Sequence, residues 1–443
     1  MEQPGPVGLL TDRYELTMLS SFVADGSARR PAVFECFARR LPSGRRYGVV
    51  AGLGRLVDLL ESFRFEPDVV DWLVREGIVT PAAADYLAGF RLRIDVEAYR
   101  EGEIYFPGSP VLTVRGELGQ ALILETLVLS VLNHDSAIAS AASRMVLAAG
   151  GRPLIEMGSR RTHERAAVAT ARAAYLSGFA ATSNLAAGLL HGIPTVGTAA
   201  HAFTLAHRSE KAAFASQVAV HGPGTTLLVD TYDIEAGIRT AVEVAGPELG
   251  AIRIDSGDLA EESRKARALL DSLGATKTRI TVTSDLDEYL VAALADAPVD
   301  AFGVGSRVAT GSGHPSAGLV YKLVAVADSD DPGAPMRPVA KTAAGKVNLG
   351  GRKVAFRELG ADGRAERELV TVDPSAPGAV PRTWRPLQVE VMRGGSVVHR
   401  PSLAEVRAHH ATALAELPGR ALEIAHGEAA MSAAPAPPGE VQP

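Results

Sequence analysis

Two carboxylates stand three residues apart at Asp255 and Asp258, in the sequence Asp-Ser-Gly-Asp. They follow the run 251–254, whose β-branched, apolar character predicts a short strand. Carboxylates at a strand end can accept hydrogen bonds from sugar hydroxyls or hold magnesium through water. In the structural alternative, Asp258 caps the next helix and Asp255 is only a turn residue. The motif alone leaves both interpretations open.

A glycine turn, Gly303-Val304-Gly305-Ser306, follows another predicted strand at 299–302. Glycine lets the backbone approach a phosphate closely, so that several N–H groups can donate to it, and the Ser306 hydroxyl adds a donor. Two glycines after a strand more often form a simple turn. The motif therefore gives weak support for phosphate binding by Gly303, Gly305 and Ser306.

One histidine and three arginines also follow predicted strands. His201, near Thr198, offers an imidazole that can act as a nucleophile or as an acid or base near pH 7. Arg160, Arg161 and Arg253 suit carboxylate or phosphate ligands. The plainer alternatives are a singly hydrogen-bonded histidine and surface charge.

These residues share a position in a repeated unit of a short strand followed by an amphipathic helix. The predicted strands are 153–155, 195–196, 226–229, 251–254, 280–282 and 299–302. The predicted helices are 164–176, 234–244, 259–273 and a stretch that ends near residue 297. This pattern indicates a parallel sheet, and closure into a barrel would bring the polar strand ends to one rim.

The two ends of the chain differ from this repeat. Residues 12–15 resemble a capping box that opens a helix, and 91–99 and 111–115 are strand-like. The acidic stretch 328–335 indicates a linker or exposed loop before short strand-like pieces. The predicted domains are an N-terminal α+β domain at 1–120, an α/β barrel at 121–325, a C-terminal β-rich appendage that packs with the N-terminal domain at 326–425, and a disordered tail at 426–443.

Composition limits the class of protein. The chain has 443 residues, 47% of them hydrophobic, and a formal net charge of -6, so we expect a globular protein without a nucleic-acid partner. A single cysteine excludes an internal disulfide and a cysteine-built metal site, and it suits a reducing cytoplasm. No secretory signal is expected at the N-terminus.

The most apolar stretch, 121–132, contains Glu125 and is shorter than the ~20 residues that a membrane span needs, so it predicts a buried helix. The arginine-rich stretch 39–46 is interpreted as a solvated loop or a small anion patch.

Several segments in the same order resemble nicotinate phosphoribosyltransferases. The matching segments are 10–18, 48–53, 106–110, 125–127, 178–188, 197–201 (Gly-Thr-Ala-Ala-His), 253–258 (Arg-Ile-Asp-Ser-Gly-Asp) and 318–323. The segments 197–201 and 253–258 are the most specific, and the glycine turn adds to them by position.

The resemblance implies the irregular, TIM-like α/β barrel of type II phosphoribosyltransferases, with a second α+β domain built from both chain ends. It implies transfer of phosphoribosyl from phosphoribosyl pyrophosphate to nicotinate in NAD biosynthesis, with ATP as a co-substrate, Mg²⁺ as a cofactor, and a homodimer with its sites at the interface. We expect no membrane partner and a cytoplasmic enzyme.

It also implies roles for individual residues. His201 would be phosphorylated transiently by ATP, with Asp255 and Arg253 as further catalytic residues. The expected nicotinate-binding residues are Tyr14 (from the neighbouring subunit), Arg160, Thr198, Arg253 and Ser183. The expected phosphoribosyl pyrophosphate-binding residues are Asp255, Ser256, Gly257, Asp258, Gly303, Gly305 and Ser306. Asp258 is the expected magnesium contact, directly or through water.

One position departs from the family pattern, which has an aromatic residue where this chain has Met157. A thioether can contact an aromatic ring, but it orients the ring less strongly than a stacked aromatic side chain. Ring stacking from that side is therefore an open question, and Met157 could instead simply pack the barrel.

Three other classes of protein share parts of this pattern. Nicotinamide phosphoribosyltransferases have an aspartate where this chain has Ser183, so a carboxylate substrate is favoured. Quinolinate phosphoribosyltransferases share the fold type but need more cationic groups for a second carboxylate. A non-catalytic phosphosugar-binding protein would not need His201 together with Asp255 and Asp258.

Overall fold

The computed structural model describes residues 6–341, 349–372 and 384–435. They form two compact units. The barrel unit is Ile138–Pro315, and the flanking unit comprises the described residues up to 137 and from 316 onward. The domain scheme of the sequence analysis, with boundaries at 120, 325 and 425, remains our proposal.

The N-terminal part of the chain supplies helices and antiparallel strands. They are α1 (Arg13–Ala24), β1 (Pro31–Ala38), β2 (Gly48–Val49), α2 (Leu53–Glu61), α3 (Pro67–Arg75), α4 (Pro81–Ala88), β3 (Asp95–Tyr99), β4 (Ile104–Tyr105), β5 (Leu112–Glu117), α5 (Leu118–Leu122) and α6 (Glu125–Ala149), with short 3-10 helices at Val7–Leu9 and Ser27–Arg29.

The barrel unit alternates strands with helices. They are β6 (Leu154–Glu156), α7 (Glu164–Leu176), β7 (Ala181–Thr182), α8 (Leu185–His191), α9 (His201–Leu205), α10 (Glu210–His221), β8 (Thr226–Leu228), α11 (Ile234–Ala245), β9 (Ala251–Ile254), α12 (Leu259–Ser272), β10 (Arg279–Ser284), α13 (Glu288–Ala293), β11 (Ala301–Val304) and α14 (Ser306–Ala309).

The C-terminal part returns to strands before two last helices. They are β12 (Leu319–Ala327), β13 (Met336–Pro338), β14 (Lys353–Leu359), β15 (Ala365–Val372), β16 (Trp384–Pro386), β17 (Gln388–Arg393), β18 (Ser396–Val397), α15 (Leu403–Ala415), α16 (Gly419–Leu422) and β19 (Ala433–Pro435). Within the segment for which a disordered tail is predicted, β19 pairs with β15, while residues 436–443 lie outside the described residues.

The barrel unit is built on a six-stranded sheet with the order β7-β6-β11-β10-β9-β8. Every pairing in it is parallel, and the last strand of the series, β11, pairs back with the first, β6. The sheet is thus a curled half-barrel whose strands all end on one side, which confirms the predicted α/β class. Apolar residues of the central strands, such as Ile252, Ile280 and Phe302, are fully buried, because a parallel sheet covered by helices has no solvent face.

The flanking unit is a mixed α+β structure around a seven-stranded sheet with the order β13-β12-β1-β5-β3-β17-β18. The N-terminal strands β1, β5 and β3 form its centre and C-terminal strands flank them on both sides, since β12 pairs with β1 and β17 pairs with β3. The acidic stretch 328–335 is the loop between the antiparallel strands β12 and β13, as predicted.

The predicted start of α1 is right, but the predicted capping box is wrong. Asp12 occupies the N-cap position without a side-chain cap hydrogen bond. Glu15 is fully buried and accepts hydrogen bonds from the Thr126 N–H at 3.0 Å and the Thr126 hydroxyl at 2.5 Å, and also from the Thr11 hydroxyl. A buried carboxylate needs such partners, so Glu15 points to Thr126 rather than to the helix start.

The apolar stretch predicted as a buried helix is part of a longer run, Leu118–Ala149. By length and composition alone this run could cross a membrane. However, 67% of its apolar window is buried inside the protein, which is typical of a core helix.

The arginine-rich stretch 39–46 is only partly solvated. Arg39 and Arg40 are exposed, whereas Arg45 is only 4% exposed and Arg46 forms a 2.9 Å ion pair with Glu423. The interpretation as a solvated loop is therefore wrong for Arg45, whose stem packs inside the flanking unit.

Candidate active site

A cavity of about 210 Å³ lies where four neighbouring strands of the barrel unit end. It is lined by Met157, Arg160, Arg161, Arg253, Asp255, Thr283, Ser284, Asp285, Gly303, Gly305 and Ser306. These residues belong to, or directly follow, β6, β9, β10 and β11. Parallel register explains their convergence, because Arg253 lies opposite Thr281 and Ser284 lies opposite Val304.

Arg253 is held in place by both sides of the cavity. Its Nε donates to Thr283 Oγ1 at 2.9 Å, and its Nη2 lies 3.5 Å from Asp255 Oδ1. Its Nη1 donates to Thr198 Oγ1 at 3.2 Å. The Thr283 hydroxyl also donates to Asp255. A guanidinium fixed in this way is a preorganised site for an anionic group.

The segment after β9 is fastened by Asp230, a residue that the sequence analysis did not select. Asp230 Oδ2 accepts from the Asp255 N–H at 2.7 Å and from the Ser256 hydroxyl at 2.8 Å. Its other oxygen, Oδ1, has no hydrogen-bond partner among the described residues and lies 4.0 Å from His201 Nε2. His201 Nδ1 is 3.2 Å from Thr231 Oγ1. One buried carboxylate therefore connects His201 with the Asp255 segment.

Asp258 caps α12, as in the structural alternative of the sequence analysis. Its Oδ1 accepts from the N–H groups of Ala260 and Glu261, both at 3.1 Å. Gly257 has a φ of 83°, a conformation that favours glycine and turns the chain between the two aspartates. The predicted magnesium contact of Asp258 and sugar contacts of Ser256 and Gly257 stay predictions.

Packing requires glycine at Gly303, the first residue of the glycine turn. An ideal Cβ on Gly303 would lie 2.5 Å from Thr283 Cγ2 and 2.8 Å from Met157 Sδ. Gly305 and Ser306 line the cavity where β11 passes into α14. Their predicted phosphate contact is not tested by this geometry.

The remaining predicted residues lie in different places. Arg160 and Arg161 line the cavity from the loop after β6. Thr198 contacts Arg253, whereas the Ser183 N–H donates to the Glu156 carbonyl and Ser183 is not among the lining residues.

Tyr14 lies in the flanking unit, on α1, with 46% of its surface exposed. Partial burial, followed by the nearby carboxylates Glu125 and Glu15, raises the pKa of Tyr14 to about 12. Its predicted contact with a neighbouring subunit's ring stays a prediction.

The sequence analysis did not select several candidate site residues, although each directly follows a predicted strand. Thr283, Ser284 and Asp285 directly follow the predicted strand 280–282, and Asp230 directly follows the predicted strand 226–229. The same rule of polar residues at strand ends that selected Asp255 would have selected them.

Glu156 was also missed, although it directly follows the predicted strand 153–155; in the structure it is the last residue of β6. It is 1% exposed, accepts from the Thr182 hydroxyl at 2.5 Å, and accepts from the Gly158 N–H. Burial raises the pKa of Glu156, which these two hydrogen bonds partly offset. Its place in the structure is to fix the turn that carries Met157, Arg160 and Arg161.

Magnesium would have oxygen ligands of the right kind in this cavity. Asp255, with a side chain 29% exposed, and Asp285 both line it, and Mg²⁺ prefers carboxylate and water oxygens. No group of three or more His, Cys, Asp or Glu side chains among the described residues has the geometry of a metal site. A magnesium ion would therefore need ligands from water and from the substrate.

Comparison with known proteins gives a consistent result. Residues 9–133 match the family model of the nicotinate phosphoribosyltransferase (NAPRTase) N-terminal domain. The chain is 55% identical to a nicotinate phosphoribosyltransferase of Mycobacterium tuberculosis, over 96% of this chain and 94% of that protein. It is 32% identical to the human nicotinate phosphoribosyltransferase, over 90% and 89% of the two chains. The crystal structure of human nicotinic acid phosphoribosyltransferase is similar in fold, with a TM-score of 0.82 and 28% identity over 96% of this chain and 97% of that chain.

Proposed function

Since this chain belongs to the nicotinate phosphoribosyltransferase family, we propose that it transfers the phosphoribosyl group of phosphoribosyl pyrophosphate to nicotinate. The products are nicotinate mononucleotide and pyrophosphate, and the reaction serves NAD biosynthesis. The single observation that carries the proposal is the cavity in which Arg253, Asp255 and Thr283 are mutually bonded beside Arg160 and Arg161. Such a cavity suits two anionic substrates.

The two substrates make different demands on this cavity. Arg253 and Arg160 provide cationic groups for the nicotinate carboxylate, since a guanidinium can form two parallel hydrogen bonds to a carboxylate. Asp255 accepts hydrogen bonds from the ribose hydroxyls. Gly305 and Ser306 offer backbone N–H groups and a hydroxyl to the 5′-phosphate. Both ends of the reacting pair are thereby fixed.

Fixing both ends is the main catalytic contribution of the protein. The bond between the anomeric carbon and pyrophosphate breaks as the bond to the pyridine nitrogen forms, through a sugar with oxocarbenium character. Because nicotinate is a weak nucleophile, alignment of the ring nitrogen with the anomeric carbon supplies much of the rate enhancement. Magnesium, when bound, would neutralise the negative charge that develops on pyrophosphate.

We further assign ATP coupling to His201. The phosphoryl group of ATP passes to the imidazole, releasing ADP, and later hydrolysis of the phosphohistidine commits the enzyme to product formation. The contacts of His201 with Thr231 and of Asp230 with the Asp255 segment give a route from this event to the sugar site. The phosphate on His201 does not contact the pyridine ring during transfer.

The proposal includes a homodimer in the cytoplasm, in which Tyr14 of one subunit stacks on the nicotinate bound by the other. Tyr14 is exposed enough to make such a contact. Although Ser183 is not among the residues that line the cavity, we assign it to the nicotinate site, where it lacks a carboxylate and so gives an amide substrate no acceptor of the kind that aspartate would provide.

The test is a side-by-side assay of nicotinate, nicotinamide and quinolinate with phosphoribosyl pyrophosphate and Mg²⁺, each with and without ATP. We expect nicotinate mononucleotide to form fastest, and faster with ATP than without it. Equal or faster turnover of nicotinamide would reject the assignment.

A further inference from the structure

A buried ion pair joins α6 to α13 in the barrel unit. The side chains of Arg144, in α6, and Glu288, the first residue of α13, are only 1% and 3% exposed, and Arg144 Nε lies 3.3 Å from Glu288 Oε1. The Arg144 guanidinium also lies 5.9 Å from the centre of the Tyr289 ring. A buried ion pair contributes little net stability, because the loss of hydration offsets the attraction between the charges. Stability alone therefore does not account for a charged pair at this place.

The second oxygen of Glu288 is bonded to the segment that follows α14. Glu288 Oε2 accepts a hydrogen bond from the Ser312 hydroxyl at 2.6 Å. The Ser312 N–H donates to the Arg307 carbonyl at 2.7 Å, so Ser312 closes the C-terminal end of the short helix α14. Ser312 has a φ of 52°, in the left-handed region that residues other than glycine rarely adopt. Such a conformation persists only where neighbouring contacts hold it, and the bond to Glu288 is one of these contacts.

Glu288 and Ser312 connect two segments that line the cavity. Glu288 comes four residues after Ser284, and Ser312 closes the helix that begins at Ser306. Ser284 and Ser306 both line the cavity. The parallel pairing of β10 with β11 ends where Ser284 lies opposite Val304. Beyond that point, the hydrogen bond between Glu288 and Ser312 ties the two segments together.

Building on the proposed function, we propose that Glu288 is a positioning residue, which holds the turn at Gly305 and Ser306 in the geometry that binds the 5′-phosphate of phosphoribosyl pyrophosphate. Glu288 is not among the residues that line the cavity. It acts through Ser312, while Arg144 holds its carboxylate and balances its charge. A turn that is already in its bound geometry binds the phosphate more tightly, because no free energy is spent on ordering it.

Ser312→Gly tests the proposal without changing the ion pair. Glycine adopts the left-handed conformation freely, so this variant removes the hydroxyl and keeps the backbone. We expect the KM of phosphoribosyl pyrophosphate to rise about fivefold, because the lost hydrogen bond is to a charged group. The Kd of phosphoribosyl pyrophosphate, measured by calorimetry without nicotinate, should rise by the same factor. The KM of nicotinate and kcat should stay within about twofold of the wild type, since the bonds of Arg253 are not touched.

Glu288→Gln removes the charge of the same carboxylate. The KM of phosphoribosyl pyrophosphate should rise at least as much as in Ser312→Gly, and the melting temperature should fall because the buried Arg144 loses its charged partner. In the double variant the KM should rise no further than in Glu288→Gln alone, since both changes break one connection. Ser272→Gly is the matched control, because its hydroxyl donates to the Leu269 carbonyl at the exposed end of α12.

The role of Glu288 is overturned if Ser312→Gly keeps the wild-type KM and Kd of phosphoribosyl pyrophosphate. It is also overturned if the KM values of both substrates rise together, which would indicate a general loss of structure, or if the two changes have additive effects. A wild type that binds phosphoribosyl pyrophosphate but does not convert nicotinate would reject the proposed function instead. Calorimetry with phosphoribosyl pyrophosphate would still decide the role of Glu288 in that case.

Discussion

Asp230, which the sequence analysis did not select, links two parts of the candidate site. Its two oxygens serve different neighbours: one fixes Asp255 and Ser256, and the other lies near His201. Its position after the predicted strand 226–229 places Asp230 at the same rim as Asp255, but the sequence does not show which side chains it contacts there. The pairing follows from parallel register, which only the folded sheet supplies.

Replacement Asp230→Asn tests this connection. The amide keeps the size of the side chain but removes the charge near His201, so we expect the ATP-stimulated rate to fall about tenfold to a hundredfold. The KM of phosphoribosyl pyrophosphate should rise, because the Asp255 segment loses a charged acceptor, while the KM of nicotinate stays the same. Steady-state kinetics with and without ATP measures these effects. An equal loss of both rates would show a structural role only, and Asp330→Asn, on an exposed loop, is the control.

Replacement His201→Ala should abolish the stimulation by ATP and leave a residual ATP-independent rate, because the imidazole carries the phosphoryl group but does not touch the ring. Rates with and without ATP, together with phosphate transfer from labelled ATP to protein, provide the measurement. His207→Ala is a matched control, since within the described part of the chain the His207 side chain is hydrogen-bonded through Nδ1 to the Phe203 carbonyl and not to a cavity residue. ATP coupling that survives in His201→Ala would remove this residue from its role.

At the scale of the secondary structure, periodicity predicted several elements well. The strand Ala251–Ile254 and the helix Glu164–Leu176 have the bounds that the sequence predicts, because their apolar spacing is clear and polar or capping residues flank them. The helix predicted to end near residue 297 instead ends at Ala293. The capping box at Asp12 failed because a tertiary contact, Glu15 to Thr126, replaced a local one.

The candidate site was predictable to the extent that its residues follow strands. Arg253, Asp255, Gly305 and Ser306 were selected by that rule and line one cavity. Glu156 directly follows the predicted strand 153–155, so the same rule points to it, but the rule does not reveal what it contacts. Its contacts with Thr182 and Gly158 depend on how β6 and β7 align in the sheet.

Replacement Gly303→Ala tests the packing at the end of β11. The added methyl group would approach Thr283 Cγ2 and Met157 Sδ within contact distance, and overpacking of this kind costs about 1–3 kcal/mol. We expect a lower melting temperature and a loss of activity. The KM of nicotinate should rise, since Met157 must move. Gly224→Ala, where an added Cβ meets nothing within 4 Å, is the control. A variant with wild-type melting temperature and kinetics would contradict the geometry.

At the scale of the whole molecule, the flanking unit contains a buried network of charges. Arg357 is fully buried between Glu103, at 2.8 Å, and Glu368, at 2.6 Å, and Arg385 and His409 also contact Glu103. Burial opposes the ionisation of Glu103, but Arg357, His409 and Arg385 together hold its pKa well below the usual range. Glu103 thus remains ionised in the folded protein at pH values where the unfolded chain takes up a proton.

The sign of the pH effect follows from that difference. A carboxyl group whose pKa is lower in the folded state stabilises the fold above its unfolded pKa, and this stabilisation decreases as the pH falls below it. We therefore expect Glu103→Gln to lower the melting temperature strongly at pH 7, because it removes one of the two carboxylates that neutralise the buried Arg357 and leaves only Glu368 beside it. The difference from the wild type should shrink as the pH is lowered below about 4.5. Thermal melts at several pH values measure this, with exposed Glu66→Gln as the control. A difference that does not change with pH would contradict the assignment.

The central claim is that one cavity at the strand ends of the barrel unit binds both halves of the product. A crystal structure of the protein with nicotinate mononucleotide tests it most directly. We expect the carboxylate at Arg253, the ribose at Asp255 and the phosphate at Gly305 and Ser306. A nucleotide bound elsewhere, or bound in this cavity without contact to Arg253 and Asp255, would contradict it.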